Sequence, residues 1–406
     1  MPTVSRSQLD RIQGVVESRS DELVGLLDSF VRVRSENPPG SHLKEGQAWI
    51  GEHLSGFGIP FEVHRTARRD TDHAVIIGTV GDGDQFMYLH GHYDVVPAFS
   101  EEQYVPQIHD GAMFGRGTSD MKSGVVAMLF AAVIHRDLGG GGQVRLVYVP
   151  DEESGGADGS ERMAELGLLG TDGCLGAIVG EPSHPNIWYA ARGAFTVEVT
   201  VTGSPAHVGL HFTGDSAFEH AHEVVGQMLS WRDSVASRKT SFRIEPEAAR
   251  SSIVLIGGTS GGGTNFNIVP GEYSFTIDRR PNPDEDYEDA RSELLQLLDE
   301  LAEKHPLSVE ILQDARPAST PADHPLVKSV QDSVTRMSGR HASLSMCPGC
   351  LETRIYNELG IPAVAYGPGP MAVMHAPDEN VPIANLIEAC SVYAAVLGDT
   401  LGYRTD

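Results

Sequence analysis

The chain has 406 residues, a formal net charge of −26 at pH 7 and a 40% hydrophobic share, so it holds a large core and two domains. The negative charge excludes a nucleic-acid partner, whose phosphates need a basic surface, and no apolar run is long enough to span a bilayer. Met1-Pro-Thr-Val-Ser-Arg lacks the apolar core of a secretory signal and four cysteines are too few for a disulfide framework, which predicts a cytoplasmic setting with no membrane partner.

Residues 21–32 carry Leu23, Leu26, Leu27, Phe30 and Val31 at helical spacing, and Asn37-Pro38-Pro39-Gly40 then forces a turn. Short apolar runs follow at 74–80, 86–89, 144–149 and 177–179, with a helix predicted over 122–135. Strands of this kind alternating with helices predict an α/β domain with a largely parallel sheet and helices on both faces. From about residue 194 the texture changes. Phe195-Thr-Val-Glu-Val-Thr-Val alternates as a half-exposed strand, followed by a helix at 215–232 and strands near 252–257 and 273–278. A helix at 284–304 and a strand at 307–312 complete a βαββαβ order, an α+β unit of its own. Gly261-Gly262-Gly263 within it reads as a flexible turn. After Pro317 the first texture returns, with a helix at 326–337 and a strand at 363–366. The predicted organisation is one α/β domain, 1–193 with 317–406, interrupted by an inserted α+β domain over 194–316.

The chemistry concentrates on loops next to these apolar segments. Leu89-His90-Gly91-His92-Tyr93-Asp94 closes a strand, and residues two apart share a face, so Asp94 is placed to orient His92. Alone, a histidine at a strand end is most often structural. Gly115-Arg116-Gly117-Thr118-Ser119-Asp120 leads into a helix, so Asp120 reads either as a cap or as a carboxylate bridging two cations. Val149-Pro150 delivers Asp151-Glu152-Glu153, adjacent acids that repel unless water or a cation compensates them. Val179-Gly180 hands out Glu181, and Met374-His375-Ala376-Pro377 supplies a second imidazole. Two histidines and three carboxylates, with no thiolate, suit zinc, cobalt or manganese.

In this order and combination the chain resembles the M20 metallopeptidases, the group of acetylornithine deacetylase, succinyl-diaminopimelate desuccinylase, aminoacylase and glutamate carboxypeptidase. The likeness runs from Arg34-Ser-Glu-Asn-Pro-Pro-Gly to His375-Ala-Pro-Asp-Glu-Asn. It implies that Asp120 bridges two divalent ions, zinc with cobalt or manganese as alternatives. His92 and Glu181 would complete one site, and Glu153 and His375 the other. Asp94 would support His92, and Glu152 would be the general base that takes the proton from the metal-bridging water. The inserted segment resembles the family's lid and dimerisation domain, implying a homodimer and hinges near Arg192-Gly193 and Arg316-Pro317. Gly203-Ser204-Pro205-Ala206-His207 matches the lid motif whose histidine stabilises the tetrahedral oxyanion. Asn267 and Arg280 match positions that hold the substrate, commonly its carboxylate. A Ser-Asp-Gly-Arg type segment of desuccinylase-like members reads here as Leu351-Glu352-Thr353-Arg354, which keeps Arg354 for the substrate and alters its neighbours.

The expected reaction is hydrolysis of the amide bond of an N-acyl amino acid, a small-molecule substrate. A dipeptidase or carboxypeptidase, or a hydrolase of an unusual catabolic amide or amine, uses the same residues. A non-catalytic binding protein is the alternative of another class, disfavoured by the presence of Glu152 and all five ligand candidates. Cys347-Pro348-Gly349-Cys350 reads as a tight turn, and His109, His184, His211 and His220 as surface or locally hydrogen-bonded residues.

Overall fold

The computed structural model describes residues 4–68 and 71–403. The chain forms two compact units. One runs through Tyr189 and takes in Ser319–Ser345 and the chain from Glu352 onward; the other holds Ala190–Ala318 and Met346–Leu351.

The first unit is α/β. Its sheet begins in the order Phe61–Arg65, Ala74–Gly81, Gln143–Val149, Phe86–His92, Cys174–Val179, Ala363–Ala365. The last four are mutually parallel, whereas Ala74–Gly81 pairs antiparallel with both Phe61–Arg65 and Gln143–Val149. The parallel strands are almost wholly apolar because they are buried on both faces: every residue of Phe86–His92 is buried. The helix Lys122–Asp137, in the predicted place, is buried from Lys122 through His135 and packs on this sheet. A 19-residue helix, Ile383–Leu401, packs beside it.

The second unit is α+β. Four antiparallel strands run in the order Ile253–Gly262, Glu272–Arg280, Ala194–Thr202, Leu307–Ala315, with the helices Ala217–Ala236 and Tyr287–Ala302. Chain order is βαββαβ. Val197, Val199 and Val201 alternate inward and meet Val224, Met228, Leu294 and Leu298 from the helices in a separate core. Gly261 and Gly262 differ from expectation, since they extend the strand opposite Ser274 and Tyr273, and only Gly263 turns the chain, at φ +73°. Among the described residues no helix is long and apolar enough to cross a membrane.

Candidate metal centre

The strand Phe86–His92 lies between Gln143–Val149 and Cys174–Val179, with His92 opposite Val149 and His90 opposite Val179. The three parallel strands therefore finish at one edge and deliver His92 with Asp94, Glu152 with Glu153, and Glu181 there. In open α/β sheets this carboxyl edge is where ligands bind. Asp120 arrives from the start of the helix Lys122–Asp137, which approaches that edge very closely. A Cβ on Gly124 would stand 2.2 Å from the Gly180 carbonyl oxygen, so glycine alone permits the contact. His375 follows the Gly367–Pro370 loop with φ at 60°, a left-handed backbone that a non-glycine residue holds at a cost of about 1–3 kcal/mol.

One ligand atom from each of His92, Asp120 and Glu153 falls within 4.8 Å of the others. His92 Nε2 lies 3.1 Å from Asp120 Oδ1, and His375 Nε2 lies 3.2 Å from Asp120 Oδ2 and 3.1 Å from Glu153 Oε2. Glu181 Oε1 is 4.0 Å from His92 Nε2. Asp120 thus offers one oxygen toward each imidazole. His375 Nε2 is buried and close to two carboxylate oxygens, yet neither contact has hydrogen-bond alignment, and Glu181 Oε1 is likewise buried without a partner. Buried polar atoms left this way cost free energy unless something else meets them. Crowded donor atoms, two of them buried without a partner, fit divalent cations, and the nitrogen and oxygen donors fit zinc, cobalt or manganese.

The electrostatics agree with that fit. Burial raises the Glu152, Glu153 and Glu181 carboxyls, and neighbouring carboxylates raise them further: Glu181 acts on Glu152, and Asp120 acts on the other two. Burial also opposes the Asp120 charge, but the His375 and His92 imidazoles beside it overturn this and hold its pKa below the usual range. His375, beside the Asp120 and Glu153 carboxylates, is raised to about 10. So many carboxylates in one crevice need positive charge, from protons or from cations.

Asp94 is fully buried and does more than orient an imidazole. His92 Nδ1 is 2.9 Å from the Asp94 backbone oxygen and 3.5 Å from its carboxylate. The carboxylate instead accepts from the backbone nitrogens of Glu152, at 3.3 Å, and Glu153, at 3.2 Å. Asn37, unmarked in the sequence reading, donates from one amide nitrogen to Asp94 at 3.2 Å and to Asp151 at 2.9 Å. The only hint was its place in the Asn37-Pro38-Pro39-Gly40 turn. Arg354 is buried and donates from Nη2 to Glu161 at 2.6 Å. Its neighbour Glu352 is buried 2.5 Å from His90 Nε2.

His207, Asn267 and Arg280 belong to the second unit. Val208 donates its backbone N–H to the Asn267 carbonyl at 2.8 Å, and His207 bridges Ile268, so the first two residues sit on paired segments. His207 is exposed. Arg280 closes its strand with Nε 2.9 Å from Asp278. Cys174 and Cys390 are free thiols. His109 stacks on Phe114, His184 bonds Asn385 and His220 bonds Asp215 and His305, local roles in each case.

Comparison with known proteins gives a family and a fold. The model of peptidase family M20/M25/M40 matches residues 88–399. A probable succinyl-diaminopimelate desuccinylase of Staphylococcus aureus is 24% identical over 403 residues, covering 92% of this chain and 98% of that protein. Aminoacylase-1 of Sus scrofa is 27% identical over 328 residues, covering 76% and 78%. Among solved structures, the di-peptidase Dug1p of Saccharomyces cerevisiae superposes with a TM-score of 0.78 at 15% identity, covering 98% of this chain and 99% of its own.

Proposed function

We propose, from the premise that the chain belongs to peptidase family M20/M25/M40 and is a metallohydrolase of amide or peptide bonds, that it removes the acyl group from an N-acyl amino acid. The observation that carries this reading is the set of donors facing one space, Asp120 between His92 and His375, with Glu152 in the turn beside them. Both curated relatives carry names that describe removal of an acyl group, which supports an acylated substrate.

Two divalent ions, zinc in this proposal, would lower the pKa of water to roughly 7 and polarise the acyl carbonyl. Asp120 would bridge them, with His92 and Glu181 on one ion and Glu153 and His375 on the other. Glu152 accepts the proton of the nucleophilic water and passes it to the leaving amine. Its raised pKa, from burial and then the Glu181 charge, suits a carboxyl that must both take and give a proton. Asp94 holds the Glu152–Glu153 turn by two backbone hydrogen bonds. His207 is proposed to stabilise the oxyanion, and Asn267, Arg280 and Arg354 to hold the substrate carboxylate. A homodimer through the second unit and a cytoplasmic setting belong to the same proposal. An open strand edge at Ile253–Gly262, with Ile253 and Leu255 exposed, supports the dimer.

The test is amine release from N-acetyl, N-succinyl and N-formyl amino acids and from simple dipeptides, by metal-reconstituted protein with and without chelator. Chelator-sensitive release from one acyl class is expected. Turnover confined to dipeptides would replace the deacylase with a dipeptidase. Silence across the panel with two metals bound would sink both.

A further inference from the structure

Glu379 lies four residues after His375 and is 1% exposed. A carboxylate taken so far out of water costs several kcal/mol unless its charge and lone pairs are met. They are met from a single direction. Oε1 accepts the backbone N–H groups of Ser119, at 3.0 Å, and Asp120, at 3.1 Å. Oε2 pairs with Nη1 of Arg116, itself 1% exposed. The Glu379 backbone oxygen accepts from Gly115 N at 3.0 Å. Arg116 in turn directs Nη2 to the carbonyls of Pro97, at 3.4 Å, and His375, at 3.5 Å. Gln103, also buried, adds bonds to the Ala376 and Pro377 carbonyls at 3.1 and 3.2 Å.

Apart from the Arg116–Pro97 contact, each of these bonds joins the Gly115–Asp120 loop, or the chain just before it, to the His375–Glu379 loop. The two loops are over 250 residues apart; the antiparallel pairing of Ala112–Phe114 with Asn380–Pro382 flanks them and ends before Asp120 and His375. The Glu379 and Arg116 side chains are both withdrawn from solvent. Their shared result is the placement of the Asp120 carboxylate 3.2 Å from His375 Nε2.

We propose that Glu379, clamped by Arg116, is a positioning residue that fixes Asp120 and His375 at the separation required for holding two cations. It does so through the backbone of Asp120 and without contacting the ions. This rests on the reading that Asp120 and His375 hold metal. A buried ion pair beside the centre also keeps the Arg116 charge neutralised, so that it does not oppose cation binding. Removing the Glu379 charge therefore acts twice, loosening the Asp120 loop and exposing the cations to an uncompensated guanidinium.

The test is Co2+ binding to the apoprotein by chelator competition, with the visible spectrum of the Co2+ form and the thermal midpoint of the apo form, for wild type, Asp120→Asn and Glu379→Gln. Partners that orient metal ligands typically contribute about 10- to 100-fold in affinity. Glu379→Gln is expected to weaken Co2+ binding by that range and to alter the spectrum at temperatures where the apoprotein is folded. A purely structural ion pair would lower the apo midpoint and leave affinity and spectrum unchanged, which would overturn the proposal. If Glu379→Gln does not fold, Glu379→Asp decides by the same readouts: it keeps the charge, loses the reach, and should bind Co2+ more weakly than wild type. Asp120→Asn binding Co2+ as tightly as wild type would remove the metal reading itself, whatever the Glu379 variants do.

Discussion

Glu152 and Glu153 are adjacent in sequence and divide into different roles through their surroundings. Glu153 Oε2 lies 3.1 Å from His375 Nε2, and Glu152 is the neighbour proposed to move the proton. Glu152→Gln keeps the size of the side chain and removes the base. It is expected to lower kcat about 10²- to 10⁴-fold, the usual contribution of general acid–base catalysis, while metal content, measured on the purified protein, stays at the wild-type level. Loss of metal in step with activity would move Glu152 into the ligand set. At this scale the chemistry was legible because imidazoles and carboxylates at strand ends are rare and specific. Asn37, Arg116 and Glu379 were not legible, since their partners are backbone nitrogens, carbonyls or side chains far along the chain. Glu379 stood inside a quoted motif, His375-Ala-Pro-Asp-Glu-Asn, but its meaning depends on reaching Ser119 and Asp120.

The helix Lys122–Asp137 links an element to the site it serves: the turn leading into it presents Asp120, and its last turn buries His135. His135 Nε2 bonds the Gly141 carbonyl at 3.0 Å, whereas its Nδ1 is buried without a partner. The folded ring is therefore the neutral Nε2–H form, and burial lowers its pKa below the ordinary value near 6.5. The unfolded chain takes up a proton there first. As pH falls through about 6.5 the unfolded chain binds a proton at His135 before the folded one does, so the contribution of this ring to stability falls. Denaturant unfolding between about pH 8 and about pH 5.5 should show this loss, and His135→Gln should flatten it. An identical pH slope in the variant would assign the effect elsewhere, with His184 and His324, also lowered by burial, as the next candidates.

Element type was readable where one face meets water. The second unit's strand Ala194–Thr202 alternates in burial along its length, and its βαββαβ order followed from such periodicity. Fully buried elements erase the period. The helix Ile383–Leu401 is apolar nearly all round, so no stripe marked it, and three-residue strands such as Gln107–His109 are too short for a pattern.

For the whole molecule, the crowding of Glu152, Glu153, Glu181 and Asp120 calls for positive charge, which the proposed cations would supply to the folded state. Ligands that bind only the folded state stabilise it by about 2.7 kcal/mol at a hundredfold excess over Kd. Stripping metal should therefore lower the thermal midpoint measured by calorimetry, and adding Zn2+ or Co2+ back should restore it. Equal midpoints with and without metal would mean that the carboxylates find their compensation in protons alone.

The sequence by itself determined the α/β and α+β character of the two textures, the identity of the ligand candidates and the class of reaction. Residue chemistry and local period are properties of short segments, and they survive without a fold. Tertiary structure alone decided that His92, Asp120, Glu153 and His375 share one space, that Asp94 holds the Glu152–Glu153 turn, that Arg354 pairs with Glu161, and that Glu379 reaches the Asp120 backbone. Those are contacts between segments tens to hundreds of residues apart. They exist only once three parallel strands end at the same edge and a glycine lets a helix close upon them.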